Sequence, residues 1–381
     1  MKRLLSALLV LVMVLCLASC GKKFIDVPVK YPEGKVVILM PTKEHYPEDY
    51  VVVNKLAEEN KDIVVVMEYE DTRHLETGDP DILVAARKAA EVEDVKAVIF
   101  ARAGYFTYNA AKAIKSKNPD IVIAAIEPED DISKLNEVVD LTVAADRQLY
   151  AKDIISAAKS QKAEYFVFFA EDRYVKNNFL YMNYGTYLKN ACEEKGIKYV
   201  EKTVKDSLYE DITVADSSLK EAIKEIYDSG EVKGENVVFY SLNPDRQINI
   251  INAVNEKGLI YIAPAFPTAY SGVADAYSID TPDSVKDVDG FIKGVKAIFT
   301  LDNADKGRLS MYTYSLASRI QRGTLYAVYD IIVGDSEYTT NQEIAVVRLN
   351  NTDPDKRFIA QNLPGEEKSV VCYASGFEKL K

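Results

Sequence analysis

The chain has no tryptophan and only two histidines, four cysteines and 17 glycines in 381 residues. Two imidazoles are too few for a His-rich metal centre, and four thiols cannot staple a disulfide scaffold. Basic residues are outnumbered 47 to 59, giving a formal net charge of −12. That balance excludes the basic face needed for sequence-independent nucleic-acid binding, and attraction to anionic lipid by charge. Catalytic signatures are missing as well: there is no Walker A or GxGxxG loop, HExxH, GxSxG or CxxC. Ser156-Ala157-Ala158-Lys159 has the S-x-x-K spacing but none of its companion motifs. His45 and His74, with Glu68, Glu70 or Asp71 nearby in sequence, read as polar surface, and Glu127 to Asp131 lacks EF-hand spacing. No catalytic residue, metal or cofactor is therefore assigned, and the chain does not read as an enzyme.

What is present is a globular composition: 48% of residues are hydrophobic and 28% charged, enough to bury ordinary cores. The length suggests two or three domains. The first residues are set aside as an address. Lys2 and Arg3 precede an almost unbroken apolar stretch over 4–17, too short for a comfortable membrane span of roughly 20 residues. It ends in Leu17-Ala18-Ser19-Cys20-Gly21, which resembles the bacterial lipobox. The resemblance implies cleavage after residue 19 and lipid on Cys20, with 20–33 as a tether. Cleavage removes two basic residues and no acidic one, so the mature chain is more acidic still. Acyl chains anchor by buried methylenes and need no basic patch. The expected location is the outer face of the cell membrane, held by lipid alone. Cys192 and Cys372 remain; they can form a disulfide, but Cys192 also continues an apolar helical stripe through Leu188 and Ala191.

Beyond residue 34 the pattern becomes regular. Val/Ile-rich, non-alternating runs occur at 36–40, 63–67, 95–100, 121–126 and 141–145, as parallel strands buried on both faces require. Helical periodicity fills 49–59, 81–91 and 107–117 between them. The second half repeats the cadence, with helices at 147–160, 178–195, 215–228 and 245–256 and strands at 165–169, 197–204, 236–240 and 258–263. Gly196, Gly230 and Gly258 stand where helix C-caps belong. Further helices are predicted at 284–301 and 316–333, and strands at 308–314, 344–349 and 369–374. Strands alternating with helices imply βαβ units, hence an α/β fold of two Rossmann-like halves with parallel sheets flanked by helices.

Two consecutive α/β halves, a crossing tail and the lipobox resemble a type I periplasmic binding protein, in particular the solute-binding lipoproteins of bacterial ABC importers. The resemblance implies two lobes closing on a ligand, and delivery to an ABC permease and its ATPase. A ligand-sensing lipoprotein that docks on a membrane signalling protein is the alternative. Residues 34–145 plus about 305–335 would make the N-terminal lobe, and 146–304 plus about 336–381 the C-terminal lobe. In open α/β sheets, ligands bind beyond the carboxyl ends of the strands. The candidates there are His45, Tyr46, Arg102, Tyr105, Glu127, Asp146, Arg147, Asp172, Arg173, Asn243, Asp245 and Phe266. Aromatics mixed with charged hydrogen-bonding groups suit a small polar, ring-bearing solute. Asp146 and Asp245 also stand at natural helix starts. Removing Arg102 or Asp146 is expected to weaken binding and leave stability little changed.

Overall fold

The computed structural model describes residues 28–380 apart from 44–45, 71–79, 172–182, 207–209, 266–268, 281–287, 302–306, 314, 335–337 and 353–357. Cys20, His45, Asp172, Arg173 and Phe266 lie outside the described residues.

The opening strand shows why the sheets form. In β1 (Lys35–Pro41), Val36, Ile38 and Met40 enter one core cluster, while Val37 and Leu39 enter another on the opposite face. A strand covered on both sides has no polar face, hence the unbroken apolar run. Around it lie β2 (Val64–Tyr69), β3 (Val95–Phe100), β4 (Val122–Ile126) and β5 (Leu141–Ala145), all parallel. With β11 (Phe358–Asn362) and β12 (Ser369–Ala374) the first sheet runs β11-β12-β5-β4-β3-β1-β2, and only β11 is antiparallel. The second sheet holds β6 (Tyr165–Ala170), β7 (Lys198–Thr203), β8 (Val237–Tyr240), β9 (Ile260–Ile262), β10 (Arg308–Tyr312) and β13 (Phe377–Lys379). Its order is β13-β10-β9-β8-β6-β7, with β13 antiparallel.

Helices flank both sheets. The first has α1 (Pro47–Glu59), α2 (Asp81–Ala89), α3 (Thr107–Lys117) and α4 (Ile132–Leu135). The second has α5 (Arg147–Ser160), α6 (Tyr184–Lys195), α7 (Ile212–Asp228), α8 (Gln247–Lys257), α9 (Ser271–Tyr277) and α10 (Val288–Leu301). Then α11 (Leu316–Val333) and α12 (Asn341–Asn350) return to the first. Gly196 and Gly258 close α6 and α8 in the left-handed region, as the glycine pattern predicts. No helix among the described residues is long and apolar enough to cross a membrane.

Three features correct the sequence expectations. First, β10 joins the second sheet, parallel to β9, because Leu309 and Met311 fill that core. Second, β11 and β12 complete the first sheet beside β5, and only β13 returns to the second. Third, residues 344–349, expected as a strand, lie in α12. Thr340 caps it by accepting from Glu343 N, while the Glu343 carboxylate accepts from Thr339 N. This capping box outweighs the weak propensity of Val346 and Val347.

The chain thus passes between sheets at 145–147, 312–316 and 374–377. Tyr150 ties the passages together. Its hydroxyl accepts from Ala374 N at 3.0 Å, and its ring lies 5.5 Å from Tyr312 and 5.0 Å from Tyr373. Cys192 and Cys372 are both free and buried, and burial pushes the Cys192 thiol up to about 12.

Candidate ligand-binding site

The carboxyl ends of the first sheet carry a buried network of charge. Arg102, two residues beyond β3, donates through Nε and Nη2 to Asp49 Oδ2 at 2.9 and 2.6 Å. Asp49 sits in the first turn of α1, where the helix N-terminus favours a carboxylate. Its other oxygen accepts from Gln321 Nε2 at 2.8 Å, and the same amide nitrogen donates to Ala101 O. The Arg102 guanidinium lies 4.9 Å above the Tyr46 ring, a cation–π contact that orients it.

Glu127 follows β4 with φ +54°, a left-handed conformation unusual for a residue with a side chain. The turn folds its carboxylate back over β5, where it accepts from Ala145 N and from Arg147 Nη2, with Arg102 Nη1 at 3.8 Å. Burial alone would push the Glu127 carboxyl up. The Arg147 and Arg102 guanidiniums and the Ala145 N–H outweigh it and hold it below the ordinary carboxylate value. All four charged groups are at most 8% exposed. A buried ion network contributes little beyond what packed apolar residues would give. Its position at the strand ends makes it a candidate site.

Glu48, Asp49, Arg102 and Glu127 form the polar side of a cavity of about 10 Å³, closed by Leu316, Ile320 and, from the segment beyond β9, Ala265. That is room for one water. The walls touch beside it: Tyr270 N, at the start of α9, donates to Glu48 Oε1 at 2.7 Å.

A second polar cluster occupies the carboxyl ends of β6 and β8. Glu171 Oε1 accepts from Arg246 Nε at 3.0 Å, and Oε2 accepts from Asn243 Nδ2 at 2.6 Å. Arg246 also donates to Asp216 of α7. Glu171 and Arg246 are fully buried.

Of the candidates read from the sequence, Tyr46, Arg102, Glu127 and Arg147 meet in the first cluster, and Asn243 belongs to the second. Tyr105 lies half-buried beyond β3, short of the cavity lining. Asp146 is placed elsewhere: its carboxylate caps α5 through Leu149 N at 2.9 Å and accepts from Gln361 at 3.2 Å. Asp245 is exposed in the turn 244–246, which Asn243 caps. Glu48, Asp49, Glu171, Arg246 and Gln321 escaped the sequence reading. Glu171 obeys the strand-end rule, one residue before Asp172; Gln321 comes from a distant helix and carries no local signal.

A proposed transcriptional regulator from Clostridium difficile 630 superposes with a TM-score of 0.68 at 14% identity, over 92% of this chain and 100% of that one. The periplasmic binding protein component of the arabinose ABC transporter from Shewanella sp. ANA-3, bound to L-arabinofuranose, gives 0.52 at 10% identity, over 91% and 92% of the two chains. The fold is that of the type I periplasmic binding proteins. In sequence, an uncharacterized protein of Treponema pallidum (strain Nichols) is 25% identical over 198 residues, 50% of this chain and 90% of that protein. Residues 35–310 match the family described as "Protein of unknown function (DUF3798)", and the chain belongs to that family.

Proposed function

We propose that this chain is a solute-binding lipoprotein, held at the outer face of the membrane through Cys20, that takes a small polar solute between its two sheets and passes it to an ABC permease. The observation that carries the reading is a buried polar cluster at the carboxyl ends of each sheet, the first lining a cavity that Ala265 and Tyr270 of the second half close, with three chain passages between the sheets. Three passages allow the sheets to part and close as bodies, and a solute that binds the closed form better shifts the population toward it. Guanidinium donors beside carboxylate acceptors supply both halves of a hydroxyl's hydrogen bonding. The similarity to a binding protein that holds a sugar supports the same reading.

Small molecules released from the purified chain on denaturation are identified by mass spectrometry, then titrated calorimetrically into wild type, Asp49→Asn and Arg102→Lys. Each variant is expected to lose roughly 2–5 kcal/mol of affinity. Two variants that bind like the parent place the solute elsewhere. Cys20→Ala should free the chain from membranes, and unchanged retention and mass would overturn the anchor.

A further inference from the structure

Before its first strand the chain is strapped to the helices of the first sheet. Arg348 of α12, held in a buried pair with Asp330 of α11, donates through Nη2 to Pro28 O at 2.9 Å. Val29 packs against the core, Pro32 is buried, and the Tyr31 ring lies 5.9 Å from that of Tyr329. Gly34 then turns the strap into β1 at φ +94°, where a Cβ would stand 2.7 Å from Asp94 O. These contacts fix the strap beside the C-terminal end of α11.

That end points away from the cleft. Ile320 lines the cavity over Arg102, and Val333 stands about 20 Å further along the helix. By their spacing Tyr326, Tyr329 and Val333 share one face of α11, and the rings of Tyr326 and Tyr329 are 6.0 Å apart. Tyr31, lying against Tyr329, is the most exposed large apolar side chain among the described residues, at 61%, and Val333 is 44% exposed. Tyrosine, apolar in body and polar at its tip, suits the level of lipid headgroups.

The length of chain before the strap says what can cover this patch. From Pro28 back to Cys20 is eight residues, which span at most about 29 Å however they run. Lipid on Cys20 therefore keeps the patch within that reach of the membrane. A surface so close is met as if within one molecule, so a small apolar patch suffices to engage it. The net charge of −12 gives anionic lipid no added attraction.

We propose that the strap and the C-terminal end of α11, through Tyr31, Tyr326 and Val333, rest on zwitterionic lipid headgroups, standing the first sheet on the membrane with the cleft about 20 Å clear of the contact. This rests on the anchor reading above. The full lipidated chain is reconstituted into phosphatidylcholine vesicles with an environment-sensitive dye on Val333→Cys or, as a control, on Lys233→Cys, an exposed residue before β8 of the second sheet. Cys192 and Cys372 are buried, so the new thiol takes the dye. The dye at 333 is expected to shift to the blue and to be quenched by brominated lipid, and the dye at 233 to do neither. Tyr31→Ser should remove most of the quenching at 333. Flotation with the vesicles reports the anchor separately. A chain that floats while the two dyes respond alike overturns the resting face and leaves the anchor intact. Stronger quenching with phosphatidylglycerol would assign the contact to basic residues and overturn the apolar patch. A blue shift that needs no vesicles and grows with protein concentration would put a second copy on the face instead of lipid. A chain that does not float overturns the anchor and this inference together.

Discussion

Arg102→Met offers the sharpest check on the first wall. The guanidinium is 7% exposed and donates twice to Asp49, while a third nitrogen approaches Glu127. Methionine fills much of the volume but strands the Asp49 charge in the interior. Breaking a buried pair from one side costs about 3–5 kcal/mol. Here the low end applies, because Gln321 still donates to Asp49 and Arg147 still holds Glu127. About 3 kcal/mol of lost stability is expected, so the affinity loss foreseen for this residue comes with a stability loss that the sequence did not suggest. Asp49→Asn with Arg102→Met removes both charges and should recover part of the loss, leaving a coupling of about 2 kcal/mol in the double-mutant cycle. Urea unfolding measures it, with tyrosine fluorescence and circular dichroism required to share one midpoint. A single variant costing under about 1 kcal/mol, with the pair additive to within about 0.5 kcal/mol, would refute the reasoning.

Two further outcomes are expected. Glu127 is held below its ordinary value in the folded chain, so its contribution is present above the unfolded value of about 4.3 and is lost as pH falls through the folded one. In Arg147→Met only Arg102 and the Ala145 N–H still oppose burial, so the depression should shrink and the variant should lose less stability than the parent on acidification from pH 6 toward 4; urea midpoints against pH check it, and parallel curves for variant and parent reject it. Gly323 of α11 lets α12 approach closely: a Cβ there would stand 2.6 Å from Leu349 Cδ2 and 3.0 Å from its Cα. Gly323→Ala should cost about 1–3 kcal/mol by overpacking, and a melting temperature equal to the parent's would show that the helices part freely.

The strands were legible because being covered on both faces leaves a plain mark, an unbroken apolar run; β3 and β5 appear at the predicted residues. Helices with one buried stripe, such as α3, α5 and α11, were equally plain. What failed was short or exposed on one side. In β11 only Phe358 and Ala360 are buried, so its run is diluted by Ile359, Gln361 and Asn362. Residues 344–349 misled because Ile344, Val346 and Val347 are β-branched and suit a strand, while the Thr340–Glu343 box that starts the helix lies just before them. Which sheet β10 joins is decided by Leu309 and Met311 meeting Tyr261 and its neighbours. Nothing within residues 308–312 names those partners.

The site divides along the same line. A strand end is a local feature, so Arg102, Glu127, Arg147 and Asn243 could be found one by one. Their pairing could not, because Asp49 is 53 residues from Arg102, and Gln321 is 272 from Asp49. Asp146 shows the opposite error: a carboxylate at a strand end that is also a helix start satisfies both descriptions, and the N–H of Leu149, three residues on, claims it. A carboxylate one step past a strand is free for the cleft only when the following helix does not take it as a cap. Glu127 meets that condition. The chain beyond it turns through 128–131 before α4 begins, and Asp131 caps that helix instead. With another residue at the cap, Glu127 is left to bind the two guanidiniums, and its positive φ aims it at them.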